Sequence, residues 1–244
     1  MPMPPRLYVN EPLRANATLA LPETAARHAQ VLRLQPGSEI TLFDGHGGEW
    51  SARIESMGKR EVTATALQHD PVERELTCHV TLALAMPSGE RMDFVIEKAT
   101  ELGAACIVPL TCERSVLRLS GERADKRRAH WQAIAIAACE QCGRNRVPDV
   151  HAPQPFAAWL GALNPRADDE ARWLLGWRDA HPFSNATPAA TVLTLSGPEG
   201  GFTTDEEALA AAHGFTTLGL GTRVLRADTA PLAVMSALSL RAVT

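Results

Sequence analysis

The chain has 244 residues, 45% of them hydrophobic and 21% charged, and a formal net charge of −4. That is enough for a substantial core, arranged as one large domain or as a small one followed by a larger one, and the charge balance does not by itself announce a nucleic-acid partner. No apolar run approaches the ~20 residues that span a bilayer, and "MPMPPRLYV" lacks the apolar core of a secretory signal, so the expected location is cytoplasmic, with no membrane partner.

In chain order, the first 71 residues read as β-rich. A short helix near residues 25–33 precedes "SEITLF", "EWSARIES" and "EVTATAL", three strands linked by hairpin signals such as the glycine-loaded "DGHGG". The best boundary lies near Pro71, giving a small domain over 1–71 and a larger one over 72–244. Beyond it, apolar strands at 79–85, 105–111, 172–177, 190–196 and 215–221 alternate with helix-length segments, the pattern of an α/β domain with a mainly parallel sheet. In "RMDFVIEKATELG", Met92, Val95, Ile96, Ala99 and Leu102 share one helix face and Gly103 is placed to cap it. Glu97, Lys98 and Glu101 on the polar face read as solvated ion-pairing residues.

The five cysteines, Cys78, Cys106, Cys112, Cys139 and Cys142, are scattered and suit reduced thiols rather than a disulfide framework. Cys139 and Cys142 form a lone CxxC within a helical stretch, with no second pair and no histidine at ligand spacing, so packing on one helix face is the expectation and no metal is expected. Six basic residues, Arg114, Arg118, Arg123, Lys126, Arg127 and Arg128, crowd a stretch with three acidic ones. A solvated helix face and a phosphate-contacting patch both fit that run.

In an open α/β sheet, ligands collect beyond the C-terminal ends of the strands. Two such ends are rich in turn formers: "SGPEGGF" (196–202) after "VLTL", and "GLGTRVLRADTAP" (219–231) after "FTTL". Neither is a phosphate fingerprint, since GxxxxGK[ST] and GxGxxG are both missing. A proline that removes an N–H and a central Glu199 also disfavour pyrophosphate. The glycines instead allow close approach of the backbone to an uncharged ring, such as the adenine of a cofactor without phosphates. In the second loop Asp228 or Thr229 is a natural N-cap for the last helix.

With these motifs assembled, the chain resembles the SPOUT-class RNA methyltransferases, and among them the bacterial 16S rRNA uridine-N3 methyltransferase family. "RLYV" and "HAQVLRLQPGSEITLFDGHGGEW" are similar to that family's N-terminal PUA-like, RNA-binding β-barrel. "RMDFVIEKATELGAACIVPLTCERSV", "EQCGR" with "VPDV", "SGPEGGF" and "LGLGTRVLRADTAP" follow in the family's order. The resemblance implies a C-terminal α/β domain with a deep trefoil knot, S-adenosyl-L-methionine bound in the knot loops, and a homodimer acting on 16S rRNA or the assembled small ribosomal subunit. It implies a cofactor pocket lined by Ser196, Gly197, Pro198, Glu199, Gly200 and Gly201, by Leu218, Gly219, Leu220, Gly221, Arg223, Val224 and Leu225, and by Leu175 and Gly176 in a third loop. Arg6, His28 and Arg33 match RNA-facing motif positions, while Glu97, Lys98, Glu101, Arg114, Glu140, Gln141 and Arg144 match motif positions of the catalytic domain. Arg114, Arg118 and Arg144 are the expected RNA contacts of that domain.

Methylation at uridine N3 requires loss of an imide proton and stabilisation of the charge that develops on the ring oxygens. Arg226 is the first candidate for that stabilisation and Arg223 the second, with Asp228 the candidate proton acceptor; the alternative is a structural Arg226–Asp228 pair. Here the chain reads Arg226-Ala227-Asp228-Thr229-Ala230 where the family usually has Arg-Thr-Glu-Thr-Ala, so a hydroxyl is lost and the carboxylate is one methylene shorter. Other readings are a knotted methyltransferase for another nucleotide, a non-catalytic RNA-binding assembly factor, and, more distantly, a dinucleotide oxidoreductase. For Glu199 two roles stand open: orienting its loop, or facing the cationic ligand.

Overall fold

The computed structural model describes residues 4–59, 61–89, 91–186 and 189–241. It divides into two compact units: Met1–Glu75 with Ile136–Val147, and Leu76–Ala135 with Pro148–Thr244.

In the first unit, strands β1 (Arg6–Tyr8), β2 (Thr18–Ala20), β3 (Glu39–Phe43), β4 (Glu49–Met57) and β5 (Val62–Asp70) form one sheet in the order β1-β3-β4-β5-β2. Alternation drives it: Val62, Ala64 and Ala66 of β5 are buried while the intervening threonines are not. Helix α1 (Glu23–Val31) adds Ala25, Ala26 and Ala29 to a core with Leu7, Ile40, Leu42 and Ile54. The three strands and the helix expected from sequence are present. β1 and β2, at three residues each, are too short for periodicity to reveal and exist through their pairing with β3 and β5.

The stretch 136–147 joins this unit through arginines. Buried Arg6 pairs with Glu49, donates to Asn145 Oδ1 at 2.6 Å and to the Arg144 carbonyl at 3.1 Å, and lies over the Phe43 ring at 4.9 Å. Arg74 joins Glu49 at 2.9 Å to the Gly143 carbonyl, also at 2.9 Å, and the buried Arg144 is bound by Glu75. Burial alone would raise the Glu49 pKa, but hydrogen bonds from Arg74 and Arg6, with their charge, bring it down from 4.5 to about 2.

The second unit contains an eight-stranded sheet in the order β11-β13-β10-β12-β6-β7-β8, with β9 also on β7. Its strands are β6 (His79–Ala85), β7 (Cys106–Thr111), β8 (Asp149–Val150), β9 (Gln154–Pro155), β10 (Glu170–Leu175), β11 (His181–Pro182), β12 (Thr191–Ser196) and β13 (Thr216–Gly219). Every recorded pairing in it is parallel. β12 lies between β6 and β10, and Val192 through Ser196 are all buried, which is why "TVLTLS" reads as a continuous run rather than an alternation. Helices α2 (Arg91–Glu101), α3 (Gly121–Cys142), α4 (Phe156–Gly161), α5 (Thr204–Ala212) and α6 (Thr229–Arg241) connect the strands. α2 buries Met92, Val95, Ile96 and Ala99, and Gly103 follows it at φ +95°.

Two strand limits move relative to the sequence reading. β10 ends at Leu175, whose partner Ser196 is the last residue of β12, so Gly176 and Trp177 fall in a loop rather than in the strand. β13 likewise ends at Gly219. Parallel packing brings the ends of β6, β10, β12 and β13 to one edge, where the loops that follow them meet.

Because Glu49 titrates below its ordinary value in the fold, its stabilising effect is complete above pH 4.5 and fades as the pH falls towards 2. Denaturant unfolding of the first unit is expected to shift to lower midpoints over that window, and Glu49→Gln is expected to flatten the shift while lowering stability at neutral pH.

Candidate functional site

A cavity of about 780 Å³ opens at this edge of the second unit. Its walls come from the loop after β10 (Gly176, Trp177, Arg178, Asp179), the turn after β12, the stretch Val224 to Ala227, and Arg91 at the start of α2. Four guanidiniums, of Arg91, Arg114, Arg178 and Arg226, and the carboxylates of Asp179, Glu199 and Glu207 border a wall that also carries Leu174, Phe202 and Leu225.

The turn after β12 is fastened from several directions. Pro198 O accepts from Gly201 N–H at 2.8 Å, closing a tight turn, and Gly201 has φ +69°, where an L side chain would be strained. Glu199 Oε1 accepts from the Ser88 amide at 3.0 Å and the Ser88 hydroxyl at 2.9 Å, and Arg91 Nη1 is 3.5 Å away. Burial pushes the Glu199 pKa up, yet these hydrogen bonds and the Arg91 charge outweigh it, so the carboxyl titrates below its usual range. From the other side Arg114 donates to the carbonyls of Gly200 at 2.9 Å and Phe202 at 3.3 Å.

The exit from the turn is a capping box. Thr203 Oγ1 accepts from Glu206 N–H at 3.2 Å, and Glu206 Oε2 accepts from Thr203 N–H at 3.0 Å. With Asp205, Glu206 and Glu207 in the first turn of α5, the helix N-terminus is already complemented by its own carboxylates. A phosphate would meet repulsion there, which agrees with the missing phosphate fingerprint.

Of the expected cofactor contacts, Leu175, Gly176, Ser196, all of residues 197–201, Val224 and Leu225 line the cavity. Leu218, Gly219, Leu220, Gly221 and Arg223 are not among its lining residues: Leu218 and Gly219 are strand residues paired with His181 and Pro182, and Arg223 is exposed. Arg226 reaches the cavity wall, and among the described residues its guanidinium has no hydrogen-bond or ion-pair partner. The structural Arg226–Asp228 pair is therefore not formed. Asp228 Oδ2 instead faces Arg91 Nε at 3.9 Å, and its Oδ1 accepts from the Thr229 hydroxyl at 3.3 Å. Ser88, Arg91, Trp177 and Glu207 escaped the sequence reading. The rule that pointed to strand ends applies equally to the "MPSG" turn after β6, which would have drawn attention to Ser88 and its neighbour Arg91.

Residues 74–239 match the pattern described as RNA methyltransferase domain, and residues 21–67 that of the RNA methyltransferase PUA domain. This chain belongs to the RNA methyltransferase family. It is 36% identical, over 95% of its length and 76% of the relative's, to Ribosomal RNA small subunit methyltransferase E of Synechocystis. To the protein of that name in Bacillus subtilis it is 32% identical, over 86% of this chain and 84% of the relative. The crystal structure of a Ribosomal RNA small subunit methyltransferase E from Neisseria gonorrhoeae bound to S-adenosyl methionine superimposes with a TM-score of 0.91, at 38% identity and 98% coverage of each chain. A Legionella pneumophila methyltransferase in complex with the same cofactor gives a TM-score of 0.90 at 34% identity, again covering 98% of each chain.

Within this RNA methyltransferase the expected RNA-facing residues are placed unevenly. Arg6 and Arg144 are buried and held by carboxylates and carbonyls, so they brace the first unit from inside. His28 is half-buried, with Nδ1 3.1 Å from Glu140 Oε2, while Glu140 Oε1 accepts from the Tyr8 amide. Arg33 is exposed and sits at φ +55°, just past the end of α1. Arg118 donates to the Glu113 carbonyl at 2.9 Å. In the basic run, Lys126 pairs with Glu122, Arg127 approaches Asp93, and Arg128 donates to the Val150 carbonyl, so much of that charge is locally engaged. Cys139 is buried and its thiol is pushed up to about 12, mainly by burial, which leaves it protonated. Among the described residues no group of three or more His, Cys, Asp or Glu side chains could hold a metal ion.

Glu199→Ala removes the acceptor for both Ser88 donors and the partner of Arg91. It is expected to cost on the order of 1 kcal/mol and to speed hydrogen exchange of the Ser88 and Gly201 amides, with Glu199→Gln intermediate because it keeps an acceptor and loses only the charge.

Proposed function

We propose that the protein binds S-adenosyl-L-methionine in this cavity and methylates N3 of a uridine in 16S rRNA, free or within the small ribosomal subunit. The observation that carries this reading is the fastened glycine turn on the cavity wall, in a fold that matches a cofactor-bound relative over 98% of each chain. We further propose a homodimer, a trefoil-knotted second unit and a cytoplasmic location, as the resemblance implies.

The residues present fit the cofactor. The turn at Gly201 offers backbone without a side chain, the apolar wall of Leu174, Phe202 and Leu225 suits a nucleoside, and Glu199, Glu207 and Asp179 suit a cation. When bound, the cofactor supplies an electrophilic methyl group on a sulfonium. Residues 197–201, Leu175, Gly176, Val224 and Leu225 would hold it. Arg226, with no hydrogen-bond or ion-pair partner among the described residues, would lie against the O2 or O4 edge of the uracil and stabilise the charge that appears as N3 loses its proton. Asp228 would accept that proton, directly or through water. Its shorter side chain lies 3.9 Å from Arg91 Nε and accepts from the Thr229 hydroxyl. Because N3 lies on the pairing edge, the uridine has to be unpaired or flipped out.

Arg33 supports RNA contact by the first unit. The Leu34 amide bonds to the Ala29 carbonyl at 3.1 Å and the Arg33 amide to the Gln30 carbonyl at 3.0 Å, a helix ending that usually places glycine where Arg33 stands. An exposed arginine in a left-handed conformation holds its charge at the surface at a steric cost, which supports a role for that charge.

Arg226→Ala is expected to lower methyl transfer by roughly 10²–10³-fold with cofactor affinity unchanged in calorimetry; intact transfer would remove Arg226 from the mechanism. Mass spectrometry of 16S rRNA from a strain lacking the protein should show loss of a single 3-methyluridine. Arg33→Gly is expected to leave stability equal or raise it by about 0.5–1 kcal/mol while weakening RNA binding and reducing its salt dependence.

A further inference from the structure

The loop after β10 presents an aromatic ring that nothing in the proposed cofactor site requires. Trp177 lines the cavity yet is 61% exposed, whereas Trp131, Trp159 and Trp173 are buried and Trp50 is half-buried. Its position is built rather than loose. Gly176, just before it, donates its amide to the Leu218 carbonyl at 3.1 Å, and a Cβ there would come within 2.8 Å of Thr217 Cγ2. Two residues on, Asp179 holds a left-handed conformation at φ +50°, which fixes the turn at a steric cost. The Arg178 guanidinium lies over the indole at 5.1 Å from its centroid, which occupies one face and leaves the ring open towards solvent.

We propose that Trp177 is the stacking platform for the substrate base: an unpaired pyrimidine entering from solvent lies on the open face of the indole, at the mouth of the cavity. This rests on the reading of the protein as an RNA methyltransferase with its cofactor deeper in the same cavity. An exposed aromatic face is the sequence-tolerant device by which proteins hold single-stranded bases, and arginine on the opposite face strengthens it. Arg91 is engaged by Glu199 and Asp228, so the exposed Arg178 and Arg226 are the cations beside the indole that can meet a phosphate backbone at that mouth. The cofactor's adenine is the less suitable guest, because the enclosed part of the cavity lies against Leu174, Ser196 and Phe202, all buried, whereas the indole is largely in water.

The test uses full-length protein, S-adenosyl-L-methionine, and an RNA stem-loop with one unpaired uridine at its target position, beside the same RNA with an abasic site there. Trp177→Ala is expected to weaken binding of the uridine RNA by roughly 5- to 150-fold, the range for one lost base stack, with Trp177→Phe restoring most of it. The abasic RNA should bind wild type more weakly than the uridine RNA does, and should bind wild type and Trp177→Ala alike. Indole fluorescence of the wild type should be quenched by the uridine RNA and not by the abasic one. Equal loss of cofactor affinity in Trp177→Ala would overturn the proposal in favour of adenine stacking, and a loss of self-association on sedimentation would overturn it in favour of a subunit contact. Unchanged RNA binding would overturn it outright. Failure of the wild type itself to bind cofactor or transfer methyl would sink the functional reading instead, an outcome separate from any effect of Trp177.

Discussion

The cavity exists in usable form because the turn at residues 197–201 is held from both sides. Glu199 reaches the Ser88 amide and hydroxyl in one direction, and Arg114 reaches the Gly200 and Phe202 carbonyls in the other. A glycine-rich turn left to itself would sample many conformations, since each glycine gains the most freedom on release. Fastening it turns a flexible segment into a fixed wall, and this lets backbone groups act as a binding surface. A carboxylate that would be out of place in a phosphate cradle is here the fastening group.

Arg91 extends this arrangement. Its guanidinium lies 3.5 Å from Glu199 and 3.9 Å from Asp228, so the turn after β12 and the segment leading into α6 answer to one side chain from the start of α2. Three segments far apart in sequence meet because a parallel sheet sends the ends of β6, β10, β12 and β13 to the same edge. Arg226 gains its availability from this: with Asp228 engaged by Arg91, the neighbouring guanidinium is left facing the cavity.

Arginines serve two opposite ends in this chain, and the first unit holds both kinds. Arg6 and Arg144 are buried, each paired with a carboxylate, and they join 136–147 to the sheet of the first unit; removing either partner would strand a buried charge. Arg33 and Arg226 are exposed. The same residue type thus divides into buried braces and exposed side chains. Only burial and partner geometry distinguish them.

The sequence alone determined the features that depend on local chemistry. Hairpin signals disclosed β3, β4 and β5, the continuous apolar run disclosed β12, three-and-four spacing disclosed the buried face of α2, and the wrong glycine spacing with a proline and Glu199 disfavoured a phosphate loop. The tertiary structure decided everything that depends on which segments meet. No periodicity could show the three-residue strands β1 and β2, the capture of 136–147 by the first unit, or the end of β10 at Leu175 that turns Trp177 out to the rim. Nor could it show that Asp228 would find Arg91 rather than Arg226, because a charge pairs with whatever the fold brings within a few ångströms, and proximity in sequence sets that distance only within a turn or a helix.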